Sequence, residues 1–61
     1  MDVREIQERL TAKGYDCGEI DGIMGPITEA AIKAFQEVHD LDADGIVGPL
    51  TEAALLEAPL E

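Results

Sequence analysis

One eleven-residue stretch occurs twice in this chain of 61 residues. Asp21-Gly22-Ile23-Met24-Gly25-Pro26-Ile27-Thr28-Glu29-Ala30-Ala31 returns 23 positions later as Asp44-Gly45-Ile46-Val47-Gly48-Pro49-Leu50-Thr51-Glu52-Ala53-Ala54, with nine of eleven positions identical. The other two exchange one apolar residue for another. Self-similarity at a fixed offset in so short a chain points to one supersecondary unit used twice, here an internal duplication.

The order of residues gives the unit its expected shape. Asp-Gly marks a turn, because the Asp side chain bonds nearby backbone and Gly takes a positive φ without steric cost. Ile23 and Ile46 follow and read as apolar plugs turned inward, closing both copies over a shared interior. Gly-Pro then starts a helix, since proline is tolerated at the first helical position where its missing N–H would have no partner. Thr28 and Thr51 read as helix-start residues. Glu29 and Glu52 lie in the first turn, where the helix dipole favours negative charge.

The chain before and between the copies completes the pattern. Val3, Ile6 and Leu10 recur at i, i+3 and i+7, one stripe of an amphipathic helix expected over 2–13. Asp2 is its N-cap, with Glu5 placed three residues on as in a capping box, and Gly14 is its C′ stop. A second helix is expected over 26–39, burying Thr28, Ala31, Ile32, Phe35 and Val38. A third is expected over 49–57, with Leu50, Ala54, Leu55 and Ala58 inward and Pro59 as its stop. Gln7 beside Ile6 matches Gln36 beside Phe35, so the repeat begins before the Asp-Gly turn. Each glutamine is expected to tie loop backbone to helix. From Gln to the next repeat Asp there are 14 positions in the first half and 8 in the second. The longer loop, 15–25, opens on Tyr15, whose ring is expected over the core with its hydroxyl in water. Leu41 reads as a core anchor of the second loop. The fold class is all-α: a compact three-helix bundle with two Asp-Gly loops, one domain over 1–61.

Composition narrows the partners. A domain of this size buries only ~60% of the surface its unfolded chain exposes. Its two aromatics, Tyr15 and Phe35, leave a core of aliphatic side chains. Fourteen acids against four basic residues give a net charge of −10, which argues against nucleic-acid phosphate and anionic membrane. A basic partner or a neutral ligand suits such a surface better. Cys17 is the only cysteine, so no disulfide can form within the chain. No apolar run approaches the length of a membrane span, and no signal-peptide pattern opens the chain. Met1 and the terminal Leu60-Glu61 read as the edges of a module taken from a larger protein.

Catalytic parts are lacking. Cys17 and His39 are each single, and nothing arranges a nucleophile, a base and an orienting group. Two such residues also fall short of a closed zinc site. Asp40-Leu41-Asp42-Ala43-Asp44-Gly45 does fit the opening of an EF-hand loop. Its twelfth position is Thr51 instead of a bidentate Glu, so a dockerin-like calcium module remains an alternative with weak, millimolar affinity.

Taken together, Val3, Ile6, Gln7, Leu10, Gly14, Tyr15, Asp21, Gly22, Gly25, Thr28, Ala31, Phe35, Gln36, Leu41, Asp44, Gly45, Gly48, Thr51 and Leu55 resemble the skeleton of the peptidoglycan-binding domain 1 family. That skeleton is a Val-x-x-Leu-Gln-x-x-Leu helix, a Gly-Tyr break, and two Asp-Gly-x-x-Gly-x-x-Thr segments around a helix with Ala and Phe-Gln. Family members often carry Arg after Gly-Pro and an aromatic after the second Thr, where this chain has Ile27, Leu50 and Glu52. The resemblance implies a non-catalytic module without cofactor or metal that binds cell-wall glycan-peptide and targets a parent hydrolase in the cell envelope or outside the cell. A monomer is expected, and the acidic charge speaks against a nucleic-acid or membrane partner. The ligand is expected in a groove between the second and third helices and the Asp-Gly loops, contacting residues from Tyr15, Asp21, Gly22, Ile23, Thr28, Gln36, Asp44, Gly45 and Ile46. An acidic adaptor that uses the same fold to bind a basic protein is the other reading.

Overall fold

The computed structural model describes residues 1–57. Three helices follow in order, α1 (Val3–Ala12), α2 (Pro26–Val38) and α3 (Pro49–Leu56), with no strand among the described residues. The chain is an all-α three-helix bundle. α1 packs on both α2 and α3, and the body measures 25 × 24 × 18 Å.

The helix ends follow from local chemistry. The Asp2 carboxylate accepts from the Glu5 N–H at 2.9 Å, which satisfies one of the first-turn donors that lack an intrahelical partner. Only half a capping box forms, because the Glu5 carboxylate turns instead to Arg9 at 3.3 Å. α2 and α3 begin on Gly25 and Gly48 with Pro26 and Pro49 in the first turn. α1 and α2 end alike. Tyr15 N–H donates to the Leu10 carbonyl and Gly14 N–H to Thr11; Leu41 N–H donates to Gln36 and Asp40 N–H to Glu37. Both are Schellman closures, which need a left-handed residue at C′. Gly14 fills that position at φ +94°, whereas Asp40 holds it at φ +59°. The longer first half divides evenly. From Gln7 to Gly14 is seven positions against four from Gln36 to Asp40, one extra helical turn, and the other three extra residues lie in the loop.

The core is Ile6, Leu10, Cys17, Ala31, Ile32, Phe35 and Leu55, with Tyr15, Val47 and Ala54 packed against it. Tyr15 stands edge-on to Phe35, with centroids 5.5 Å apart and planes at 82°, an arrangement favoured by the ring quadrupole. Phe35 also packs on the His39 ring, with centroids 4.2 Å apart and planes tilted by 37°. Leu41 is half-buried.

Several inward expectations are corrected. Ile23 and Ile46 are not plugs, since each is 68% exposed. Val38 and Leu50 face solvent at 69% and 74%. The two isoleucines therefore do not close the copies over the interior; at the loops Tyr15, Cys17 and Val47 reach the core instead. The inside positions go instead to Gln7, Thr28, Gln36 and Thr51, all buried. Cys17 is buried too, its Sγ 3.3 Å from the Gln7 carbonyl oxygen and 3.3 Å from Thr11 Oγ1. Ala58 and Pro59 lie outside the described residues.

Candidate functional site

The buried glutamines set the geometry of both loops. Gln36 Nε2 lies 3.2 Å from Asp44 Oδ1, 2.9 Å from the Ile46 carbonyl and 3.1 Å from Thr51 Oγ1, and its Oε1 accepts from Gly45 N–H at 3.0 Å. Gln7 does the same in the first half: 3.2 Å to Asp21 Oδ1, 3.1 Å to the Ile23 carbonyl, 3.1 Å to Thr28 Oγ1, and 2.9 Å from Gly22 N–H to its Oε1. Each amide offers two hydrogens to three acceptors, so the three contacts share them. The amide acts as a clamp between one helix, one turn and the start of the next helix. Thr28 and Thr51 are anchors of this clamp, and the first has an extra arm, donating through Oγ1 to the Cys17 carbonyl at 3.2 Å. Every buried side-chain nitrogen and oxygen among the described residues has a hydrogen-bond partner, as a polar interior requires.

Each turn is also bonded to itself. Asp21 Oδ1 accepts from Ile23 N–H, and Asp44 Oδ1 from Ile46 N–H, both at 2.9 Å. The backbone N–H of Ile23, followed by the Gln7 amide, holds the Asp21 carboxyl below its ordinary pKa. Ile46 N–H is likewise the main cause for Asp44; partial desolvation opposes it and the Gln36 amide adds to it. Hydrogen bonds to the charged form have this effect. Gly22 and Gly45 adopt φ of +78° and +75°, which frees their N–H groups to reach the glutamines without Cβ strain.

This arrangement leaves a groove beside each turn. One, of about 290 Å³, lies between the end of α2 and the start of α3, lined by Gln36, Asp40, Leu41, Asp42, Asp44, Ile46, Gly48, Pro49, Leu50 and Thr51. The other, of about 310 Å³, is lined by Gln7, Cys17, Gly18, Glu19, Asp21, Ile23, Gly25, Pro26, Ile27 and Thr28. Seven positions of each are the matching positions of the repeat. Ile46 and Leu50, and correspondingly Ile23 and Ile27, stand exposed at the walls.

The residues expected at a ligand are thus split. Asp21, Ile23, Asp44 and Ile46 line grooves and are exposed. Thr28, Gln36 and Gly45 are buried with their polar groups engaged by the clamp, and Gly22 has its N–H engaged as well. Tyr15 lines neither groove, its ring being half-buried on Phe35. Ile27, Leu50 and Asp42, none of them among the expected contacts, line the grooves as well. The signal for the first two was present, since the apolar residue after Gly-Pro repeats and cannot share the buried face of Thr28 or Thr51.

Among the described residues no group of three or more His, Cys, Asp or Glu is placed to hold a metal ion. No helix among them is long and apolar enough to cross a membrane. Two shallow grooves with apolar walls and carboxylate rims can seat the flat face of a neutral ligand and satisfy its hydroxyls or amides.

No curated protein and no solved structure matches the chain. A family model described as "Putative peptidoglycan binding domain" matches residues 1–55. With nearly the whole chain matched, the clamped Asp-Gly turns included, this protein belongs to that peptidoglycan-binding domain family.

Proposed function

We propose that this domain is a non-catalytic recognition module that holds a parent cell-wall hydrolase, or a similar enzyme, against peptidoglycan at the cell envelope or outside the cell. The single observation that carries this reading is the family match over residues 1–55. The groove between α2 and α3 is the proposed contact, with Ile46 and Leu50 against a sugar face and Asp44 on its rim. Tethering raises the local concentration of substrate for the parent enzyme, so modest affinity suffices on a polymer that repeats its epitope.

Charge supplies the test. Stem peptides carry carboxylates, and a domain of net charge −10 repels them. Binding then rests on neutral contacts and holds or strengthens as salt shortens the Debye length from ~10 Å at 0.1 M to ~3 Å at 1 M. Purified sacculi should pellet the domain over that whole range. No pelleting at any salt would defeat the reading. A second reading is favoured by Asp40, Asp42 and Asp44 around the same groove: an adaptor for a basic protein segment. Its signature is the opposite one, binding to a Lys-rich peptide that falls steeply as salt is added.

A further inference from the structure

We propose that the groove at the first Asp-Gly turn is a second ligand site, equivalent to the one between α2 and α3, so that one domain holds two units of a wall strand. The proposal rests on the wall-binding reading above. Its own support is the matched construction of the two grooves. Their volumes are about 310 and 290 Å³, and seven positions of the lining correspond. A buried glutamine fixes each turn through the same four contacts.

The exposed apolar residues argue the same way. Apolar side chains exposed singly on a surface need no explanation. Yet Ile23 and Ile27 at one groove repeat Ile46 and Leu50 at the other, each of the four more than half exposed. Aliphatic walls next to a carboxylate rim, with Asp21 in one groove and Asp44 in the other, suit the same ligand class: the apolar face of a sugar whose hydroxyls reach the acids. Leu41 lines only the second groove and Cys17 only the first. The grooves share a body no longer than 25 Å, and a polymer offers successive units at short spacing. Once one groove is filled, the next unit arrives at the other as an intramolecular step, which raises avidity without new contacts.

The test is titration of the 61-residue chain with a soluble disaccharide-tetrapeptide, read by calorimetry and by backbone amide shifts. Two ligands per chain are expected, with shifts at both Ile23–Ile27 and Ile46–Leu50. Ile27→Ser and Leu50→Ser, both at exposed positions, each reduce the count to one and silence only their own groove. On intact sacculi either substitution weakens binding by about tenfold or more, because avidity is lost. One ligand per chain, with Ile27→Ser silent in both assays, overturns the second site and leaves the wall reading standing. No heat and no shift with the wild-type chain removes both.

Discussion

Replacing Gln36 by leucine tests the clamp directly. Leucine keeps much of the volume and removes the amide. Gly45 N–H, which donates to Gln36 Oε1 inside the protein, then has no acceptor, and a buried unsatisfied donor costs ~1–3 kcal/mol. The Nε2 contacts to Thr51 and to the Ile46 carbonyl go as well, each worth ~0.5–1.5 kcal/mol net. The expected loss is about 3 kcal/mol. A domain of 61 residues has only ~3–9 kcal/mol in total at ~0.05–0.15 kcal/mol per residue. Much of the stability therefore hangs on one side chain that is 1% exposed. Equilibrium urea unfolding measures the change, and the melting temperature should fall by roughly 12–24 °C at ~4–8 °C per kcal/mol. Amide exchange at Gly45 should become much faster than at Gly22 in the same variant, since the first clamp is untouched. A loss below about 1 kcal/mol, with Gly45 still protected, would refute the claim that the amide holds the turn; that threshold is the net worth of one ordinary hydrogen bond.

Two further outcomes follow from the backbone and the turn carboxylates. Asp40 occupies the left-handed C′ position at φ +59° that Gly14 fills in α1. Asp40→Gly should stabilise the domain by about 1 kcal/mol, because L residues are penalised by ~1–2 kcal/mol there while glycine gives back part of that in chain entropy; a urea midpoint that fails to rise counts against it. Asp21 and Asp44 have folded-state pKa values below the ordinary 3.8. Their contribution to stability is therefore fully present above that value and lost as pH falls through the lower folded one. The double variant Asp21→Asn, Asp44→Asn should show a flatter stability profile below pH 4 than the parent; an unchanged slope would show that these turns do not sense acid.

Much of the fold was legible because the helices announce their ends. Asp2, Gly14, Pro26 and Pro49 stand where the caps and first turns are, and the Val3–Leu10 and Ala31–Phe35 stripes have helical period. What misled was the rule that apolar means inside. In α3 the rows Leu50–Ala54 and Thr51–Leu55 both have four-residue spacing, and the apolar content of the first favours it. The second is the buried one, since Thr51 finds Gln36 and is thereby satisfied. Likewise Gln36 goes inward in α2 while Val38 goes out. Cys17 in the long loop is buried against the Gln7 carbonyl, and nothing in its local sequence says that this loop folds back over α1. The candidate site was half visible: the repeated Asp-Gly turns mark its location, but Ile23, Ile46 and Leu50 on its walls have the apolar character of core residues while standing exposed.

The peptide unit between residues 23 and 24, and its counterpart between 46 and 47, gives its carbonyl to the clamp. That commitment turns the side chains of Ile23 and Ile46 away from the body and into water. Backbone recognition is blind to which residue supplies the oxygen. Each tip therefore behaves as a removable head on a fixed mount: evolution, or a designer, can exchange isoleucine for an aromatic or a cation and alter what the surface grips, while the mount beneath folds as before.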